Sequence, residues 1–247
     1  MPALAVGEAA GPPGLGFYGK MPAVGDFVSR RIDAGFVAAW DAWMQAAIVA
    51  AREALGADWL GLYLKAPLWR FALSAGVCGP RPAAGVLMSS VDKVGRYFPL
   101  VLAAPLPDAA AVLALPVSAE PWFAAVESVA LGALDDAASL DGLDGAAGAV
   151  GAPDGAAHAP AAPAGWALPL AGDRPPAAGD VARLAGAVLA GAAPDLAVWW
   201  TAGSPDFAGA CVASRGLPPP RAAAAFLDGR FDRWGWTMVA AAPETAA

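Results

Sequence analysis

The scarce charged side chains of this chain concentrate in three short segments that also carry aromatic residues, glycines and prolines: residues 16–27, 67–71 and 89–99. Ammonium, guanidinium and carboxylate groups in such segments can either bind a partner or pair with one another inside the fold. The charged candidates are Lys20, Asp26, Arg70, Asp92, Lys93 and Arg96.

The sequence allows two interpretations of these charged residues. One is a partner-binding patch at one end of a sheet. The other is an internal ion-pair network that holds loops, for example Asp26 with Arg70 or with Arg96, and it is favoured for Asp26 and Arg70 because charge is sparse elsewhere. Lys93 and Arg96 flank a predicted hairpin tip, so we expect them at the surface. A basic tip there suits an acidic or phosphorylated partner.

The segment at residues 14–20, GLGFYGK, matches the first part of a phosphate-binding loop. The motif then fails, because Met21 supplies no hydroxyl for magnesium and Pro22 and Gly25 leave no helix N-terminus facing the phosphates. We therefore expect no nucleotide at Lys20 and no cofactor in the protein.

Catalytic side chains are few. The single histidine, His158, lies in an Ala/Pro-rich stretch, and no His, Cys or carboxylate set has metal-ligand spacing. Cys78 is a candidate reactive thiol, although a small buried side chain beside a turn is the more common role. Asp26, Asp41 and Asp92 could supply a carboxylate pair, with turn roles as the default. A small hydrolase or thiol enzyme is thus the alternative to a protein without catalytic activity.

The composition narrows the class of protein. The 247 residues carry a net charge of −7, which argues against binding a nucleic-acid backbone. The mean hydropathy is +0.51, but prolines and charges interrupt every apolar stretch before about 18 residues, so no membrane insertion is expected. Residues 1–13 lack the features of a signal peptide, and two distant cysteines fit a reducing compartment. These features predict a cytoplasmic protein.

The first half of the chain predicts alternating helices and strands. A short strand is expected at 15–18, a helix capped by Asp33 and running to about residue 54, and a second helix that ends before Pro67. Strands are expected at 68–73, 85–91 and 96–104, the last two joined as an antiparallel hairpin by a turn over residues 92–95. Pro121 begins a helix to about residue 136.

The second half begins with a predicted flexible Ala/Gly/Pro-rich insert at 141–165. A helix follows at 180–190, then strands at 196–201 and 209–214 and a short helix at 221–227. Trp199 and Trp200 are adjacent in a strand and must point to opposite faces, so the sheet is either covered on both sides or one tryptophan lies at a contact surface.

These elements predict an α/β (α+β layered) fold, a mixed and largely antiparallel sheet flanked by helices in a single domain. The predicted divisions are a disordered arm at 1–13, an N-terminal module at 14–140, the insert at 141–165, and a second half at 166–247 that packs on the same sheet. The candidate residues for a partner surface or a structural motif are Lys20, Asp26, Arg70, Asp92, Lys93, Arg96, Tyr97, Trp199 and Trp200.

Five motifs resemble the TagF family of type VI secretion-associated proteins. They are GFYGKMP at 16–22, GDFV at 25–28, WDAW at 40–43, APLWRF at 66–71 and GVLMSSVDKVGRYFPL at 85–100. The resemblance covers residues 16 to about 104 in order and is specific, whereas Trp199, Trp200 and residues 216–226 resemble a weaker second half.

That resemblance implies a cytosolic, non-enzymatic accessory protein that represses type VI secretion after translation. It implies a link to a threonine-phosphorylation pathway and, for some members, binding to a forkhead-associated scaffold protein. Some relatives are fused to a phosphatase domain, which nothing in this chain resembles. The family supplies no catalytic residues to transfer to this sequence.

Overall fold

The computed structural model describes residues 14–106, 112–153 and 195–239. Within these ranges, seven strands form one open antiparallel sheet in the order β2-β1-β5-β4-β3-β6-β7. The strands are β1 (Gly16–Gly19), β2 (Val28–Arg30), β3 (Trp69–Leu73), β4 (Ala83–Met88), β5 (Leu100–Pro105), β6 (Leu196–Thr201) and β7 (Ala210–Arg215).

Helices lie on both faces of this sheet. They are α1 (Ala34–Leu55), α2 (Trp59–Lys65), α3 (Leu115–Ser118), α4 (Glu120–Gly132), α5 (Leu140–Val150) and α6 (Ala225–Asp228), with 3₁₀ turns at Gly56–Asp58, Ala222–Ala224 and Asp232–Trp234. The described residues therefore form a single mixed α+β domain, which confirms the predicted fold class.

Side chains that alternate along each strand divide the interior into two apolar cores. Phe71 and Trp199 face the core under α1, α2 and the C-terminal segment, whereas Ala72 and Trp200 face the core under α4 and α5. Because helices cover both faces, the central strands are apolar at successive positions instead of alternating with polar residues.

Helix α1 begins and packs as its sequence predicts. The Asp33 carboxylate caps it by accepting a hydrogen bond of 3.0 Å from the amide of Phe36. Trp40 and Trp43 lie on its buried face. Among the described residues, the segment Ala34–Lys65 is long and apolar enough to cross a membrane by length and composition. In this fold its aromatic stripe contacts the sheet, as in the core helix of a globular domain.

The hairpin β4–β5 is confirmed, with Met88 opposite Leu100 at the end next to its connection. Residues 89–99 form its long connection, in which an isolated bridge joins Val91 and Tyr97. The amide of Gly95 donates to the Asp92 carbonyl at 3.0 Å, closing the predicted turn at the tip.

The prediction of a flexible insert at 141–165 is wrong for residues 141–150. Residues 140–150 form α5 because the Ser139 hydroxyl accepts a hydrogen bond of 3.1 Å from the Gly142 amide, and because Leu143 and Ala147 pack one turn apart into the core. The remainder of the insert from residue 154, the predicted helix at 180–190, and the arm at 1–13 lie outside the described residues. The division into modules stays a prediction.

Candidate functional site

Lys20 and Asp92 form a buried ion pair, with Lys20 Nζ on Asp92 Oδ2. Lys20 follows β1, and Asp92 lies in the β4–β5 connection. The two residues are only 5% and 3% exposed, respectively. Both were candidates for a partner surface or a structural motif, and their burial in an ion pair fits the structural motif.

The Asp92 carboxylate organises the hairpin tip. Its Oδ1 accepts hydrogen bonds from the amides of Val94 (3.0 Å) and Arg96 (2.9 Å), and its Oδ2 accepts one from Arg96 Nε (2.6 Å). Burial raises the pKa of Asp92, but the hydrogen bonds from Lys20, Arg96 and Val94 outweigh burial and hold that pKa well below its usual range. The carboxylate is therefore charged and fully engaged.

The tip is joined to the loop between β1 and β2. The Lys93 amide donates to the Val24 carbonyl at 3.1 Å, and Arg96 Nη2 donates to the Gly25 carbonyl. These bonds join residues 24–27 and 92–96 into one connected structure.

Two further contacts anchor this structure to the domain. The Ser90 hydroxyl donates to the Lys20 carbonyl at 2.7 Å, and the Tyr63 hydroxyl donates to the Ser90 carbonyl at 2.7 Å. Burial raises the pKa of Tyr63, so it remains a neutral donor at physiological pH. Gly19 (φ +139°) allows the close approach, because a Cβ there would lie 2.2 Å from the Pro99 carbonyl oxygen.

An aromatic group covers the ion pair. Phe27 stacks on Tyr18 with ring centroids 5.5 Å apart and meets Phe98 edge-on at 4.8 Å, and Lys20 Nζ lies 4.9 Å from the Phe27 centroid. Phe27 is nevertheless 39% exposed. The Tyr18 hydroxyl donates to Asp41 at 2.6 Å, and burial followed by that carboxylate raises the pKa of Tyr18.

Among the exposed residues of these two loops, four make up what we call the loop surface: Phe27, Lys93, Val94 and Arg96. Asp26, next to Phe27 in the sequence, is exposed as well. Val94 at the turn is 67% exposed. Lys93 and Arg96 were predicted to lie at the surface here, whereas Phe27 and Val94 were not. The sequence held one sign of both: Phe27 follows the charged Asp26, and Val94 follows the charged Lys93, inside the motifs.

The remaining candidates of the first half lie elsewhere or play another role. Asp26 is exposed and its carboxylate accepts a hydrogen bond from the adjacent Phe27 amide at 2.8 Å, so the predicted pairs of Asp26 with Arg70 and Arg96 are wrong. Tyr97 is half-buried and packs edge-on against Tyr63, with centroids 5.8 Å apart.

Arg70 lies on the opposite face of the sheet, against α4. Its Nε donates to Glu127 at 2.7 Å, and its Nη1 pairs with Glu120. The hydrogen bond to Glu127 contributes most to raising the pKa of Arg70, and the bond to Arg70 lowers the pKa of Glu120. The expected internal role of Arg70 fits this geometry, but its partners were missed because they lie 50 and 57 residues away.

Trp199 and Trp200 are core residues on opposite faces of β6. Trp199 packs 5.8 Å from Trp40 and 5.3 Å from Phe71, whereas Trp200 packs 4.7 Å from Phe123. Their exposures are 0% and 9%. Of the two alternatives left open by the sequence, the covered two-sided sheet is the one observed, and the contact surface is wrong.

The candidate thiol and the candidate carboxylates do not form a common catalytic site among the described residues. Cys78 is buried, and burial raises its pKa to about 12, which keeps it a thiol instead of a nucleophilic thiolate. Asp41 binds Tyr18 and Gln45, and Asp92 binds Lys20 and Arg96, so these carboxylates have separate partners. His158 lies outside the described residues, within which no cluster of three metal-ligating side chains occurs.

Comparison with known proteins identifies a matching family and similar solved structures. The family model for the TagF N-terminal domain, described as type VI secretion system-associated, matches residues 16–150. The crystal structure of PA0076 from Pseudomonas aeruginosa PAO1 is similar with a TM-score of 0.72 and 34% sequence identity, over 93% of this chain and 98% of that one. No match was found among curated proteins. The matched residues include every motif that forms the loop surface.

Proposed function

The chain belongs to the TagF family of type VI secretion system-associated proteins, and from this premise we propose that it is a non-enzymatic, cytoplasmic repressor of secretion-machine assembly. It acts after translation, by binding a protein of the secretion apparatus. A forkhead-associated scaffold protein is the proposed partner, in keeping with the partner that the family resemblance implies.

One observation carries the proposal. The motif residues of the matched region form a buried framework, Lys20 with Asp92, whose outer side displays Phe27, Val94 and Lys93. In this proposal the buried pair, with the hydrogen bonds of Asp92 to Val94 and Arg96, holds the loops in one conformation. A rigid loop surface with exposed apolar and basic side chains is suited to protein recognition.

The chemistry of the candidate nucleophile also supports binding over catalysis. Cys78 is held as a thiol by burial. Cys211 is exposed on the edge strand β7, and partial desolvation raises its pKa as well. Neither thiol has the depressed pKa that a nucleophilic cysteine requires. The thiol enzyme is therefore the weaker candidate.

Deletion and complementation of the gene test the proposal. The deletion strain should release more effector into the medium than its parent, and a plasmid copy should restore the lower level. Immunoblots of effector in culture supernatants, normalised to the amount in cells, provide the measurement. Equal secretion in the parent, deletion and complemented strains would refute a repressor role.

A further inference from the structure

We propose that the loop surface (Phe27, Lys93, Val94 and Arg96) binds a carboxylate-rich segment of a protein partner, with apolar residues among its acidic ones. This inference rests on the proposed function, since it names the surface and the partner chemistry through which repression would operate. It is carried by the charge, exposure and anchoring of these four residues.

Charge distinguishes this surface from the rest of the chain. The protein carries −7 overall, but the charged residues at 20, 26, 92, 93 and 96 comprise three cations and two carboxylates. Lys20 and Asp92 neutralise each other inside the fold. The loop surface thus presents Lys93 and the outer part of Arg96, whose side chain is 57% exposed, next to the exposed carboxylate of Asp26. Two cations and one carboxylate leave a net charge of +1 at this place on a protein that carries −7.

Four other described cations have carboxylate partners. Arg31 pairs with Asp144, Arg70 with Glu120 and Glu127, Lys65 with Asp206, and Arg215 with Asp195. Lys93 makes no ion pair with any residue in the described ranges, and it lies beside Arg96, whose own carboxylate partner is buried. An acidic segment would therefore meet two adjacent cations without displacing an existing surface pair.

Apolar contact comes from Phe27 and Val94. Phe27 is held from beneath by Tyr18 and Phe98, so its exposed face has a defined orientation. Val94 is fixed by its amide bond to Asp92 and by the turn that closes at Gly95. Because both loops are ordered before binding, little conformational entropy is lost when a segment docks.

The first experiment uses the full-length protein and synthetic peptides. A soluble glutamate-rich peptide that contains leucines should shift the backbone amide signals of residues 24–27 and 92–96 in ¹⁵N NMR titrations. The same peptide with glutamines in place of glutamates should bind about tenfold more weakly, since each close charge pair adds roughly a kcal/mol or more. Binding of the glutamate peptide should weaken as salt is raised.

A phosphothreonine peptide with glutamines at the remaining positions separates the two sources of negative charge. Binding by this peptide without binding by the glutamate peptide would overturn the assignment to carboxylates. Equal binding by the glutamate and glutamine peptides would show that negative charge does not contribute to binding, and it would also overturn the assignment to carboxylates. Self-association through these same residues, seen as a concentration-dependent mass in light scattering, would assign the surface to a second copy instead.

The second experiment uses a matched pair of variants in the secretion assay. Lys93→Glu/Val94→Glu alters the loop surface, and Arg230→Glu/Val117→Glu makes the same change of charge and hydrophobicity at exposed positions elsewhere. The first variant should bind the glutamate peptide about tenfold more weakly and lose repression. The control variant should bind the peptide as the wild-type protein does and should still repress secretion. If the Lys93→Glu/Val94→Glu protein folds and represses normally, the loop surface is not the site at which the partner binds. Absence of repression by the wild-type protein would refute the proposed function alone, because the peptide titration tests the surface independently.

Discussion

Lys20 and Asp92 lie 72 residues apart in the sequence and form an ion pair that is buried in the domain. The pair joins the end of β1 to the tip of the β4–β5 hairpin and thereby fixes the two loops that carry the loop surface. The stability and the recognition properties of this region should therefore depend on the same two side chains.

Replacing Lys20 by Met should destabilise the protein strongly, because it leaves the Asp92 carboxylate buried without its ammonium partner. The melting temperature, measured by circular dichroism, should fall further than for Arg230→Met, which removes an exposed cation. Equal melting temperatures of the two variants would show that the buried pair contributes no stability.

The pH dependence of stability follows from the lowered pKa of Asp92. A group whose pKa is depressed by folding stabilises the protein above its unfolded value, about 3.9, and loses that contribution as the pH falls toward the folded value. The difference in unfolding free energy between wild type and Asp92→Asn should thus be largest near neutral pH and shrink in acid. Urea titrations at several pH values provide the measurement, and a pH-independent difference would contradict this account.

The two partners of Arg70 should contribute unequally. Glu127 is less exposed than Glu120, with side-chain exposures of 28% and 62%, so water screens its interaction less. Glu120→Gln should cost about 0–1 kcal/mol, and Glu127→Gln about 1.5–3 kcal/mol, in unfolding free energy. Chemical denaturation of both variants measures the two losses of unfolding free energy. A larger loss for Glu120→Gln than for Glu127→Gln would contradict this prediction.

Trp199→Ala should cost about 3–5 kcal/mol, since it leaves a large cavity among the aromatic rings of the core. For a domain of this size that corresponds to a fall in melting temperature of roughly 6–20 °C. A fully folded, equally stable Trp199→Ala protein that failed to bind its partner would instead indicate that the tryptophan lies at an interface.

Cys78→Ala should leave repression unchanged, because burial keeps the thiol protonated and inaccessible. Secretion assays of the variant measure this directly, with Cys211→Ala as the matched control. Loss of repression by a stable Cys78→Ala protein would favour the thiol enzyme over the binding protein.

Local patterns in the sequence predicted much of the fold. The Asp33 cap, the aromatic spacing of α1 and the turn before Gly95 depend on neighbouring residues, and each is confirmed. The short strand β2 was missed, since three residues carry little periodicity. Helix α5 was missed because its Ala/Gly composition indicates flexibility, whereas the Ser139 cap and the packing of Leu143 and Ala147 stabilise it.

The candidate site was harder to predict because it depends on strand order. Lys20 meets Asp92 only because β1 pairs with β5, and no local signal specifies that neighbour. Arg70 and Asp26 were expected to pair, but Arg70 lies on β3 and pairs with residues of α4, whereas Asp26 lies in the loop between β1 and β2. Burial of both Trp199 and Trp200 depends on helices covering both faces, which alternation within a single strand cannot reveal.

The most direct test of the central claim, repression after translation, is effector secretion in cells that overproduce the protein, with transcripts of the secretion genes quantified in the same cultures. The account predicts less effector in the medium at unchanged transcript levels. Unchanged secretion despite raised protein, or transcripts that fall in parallel with secretion, would contradict it.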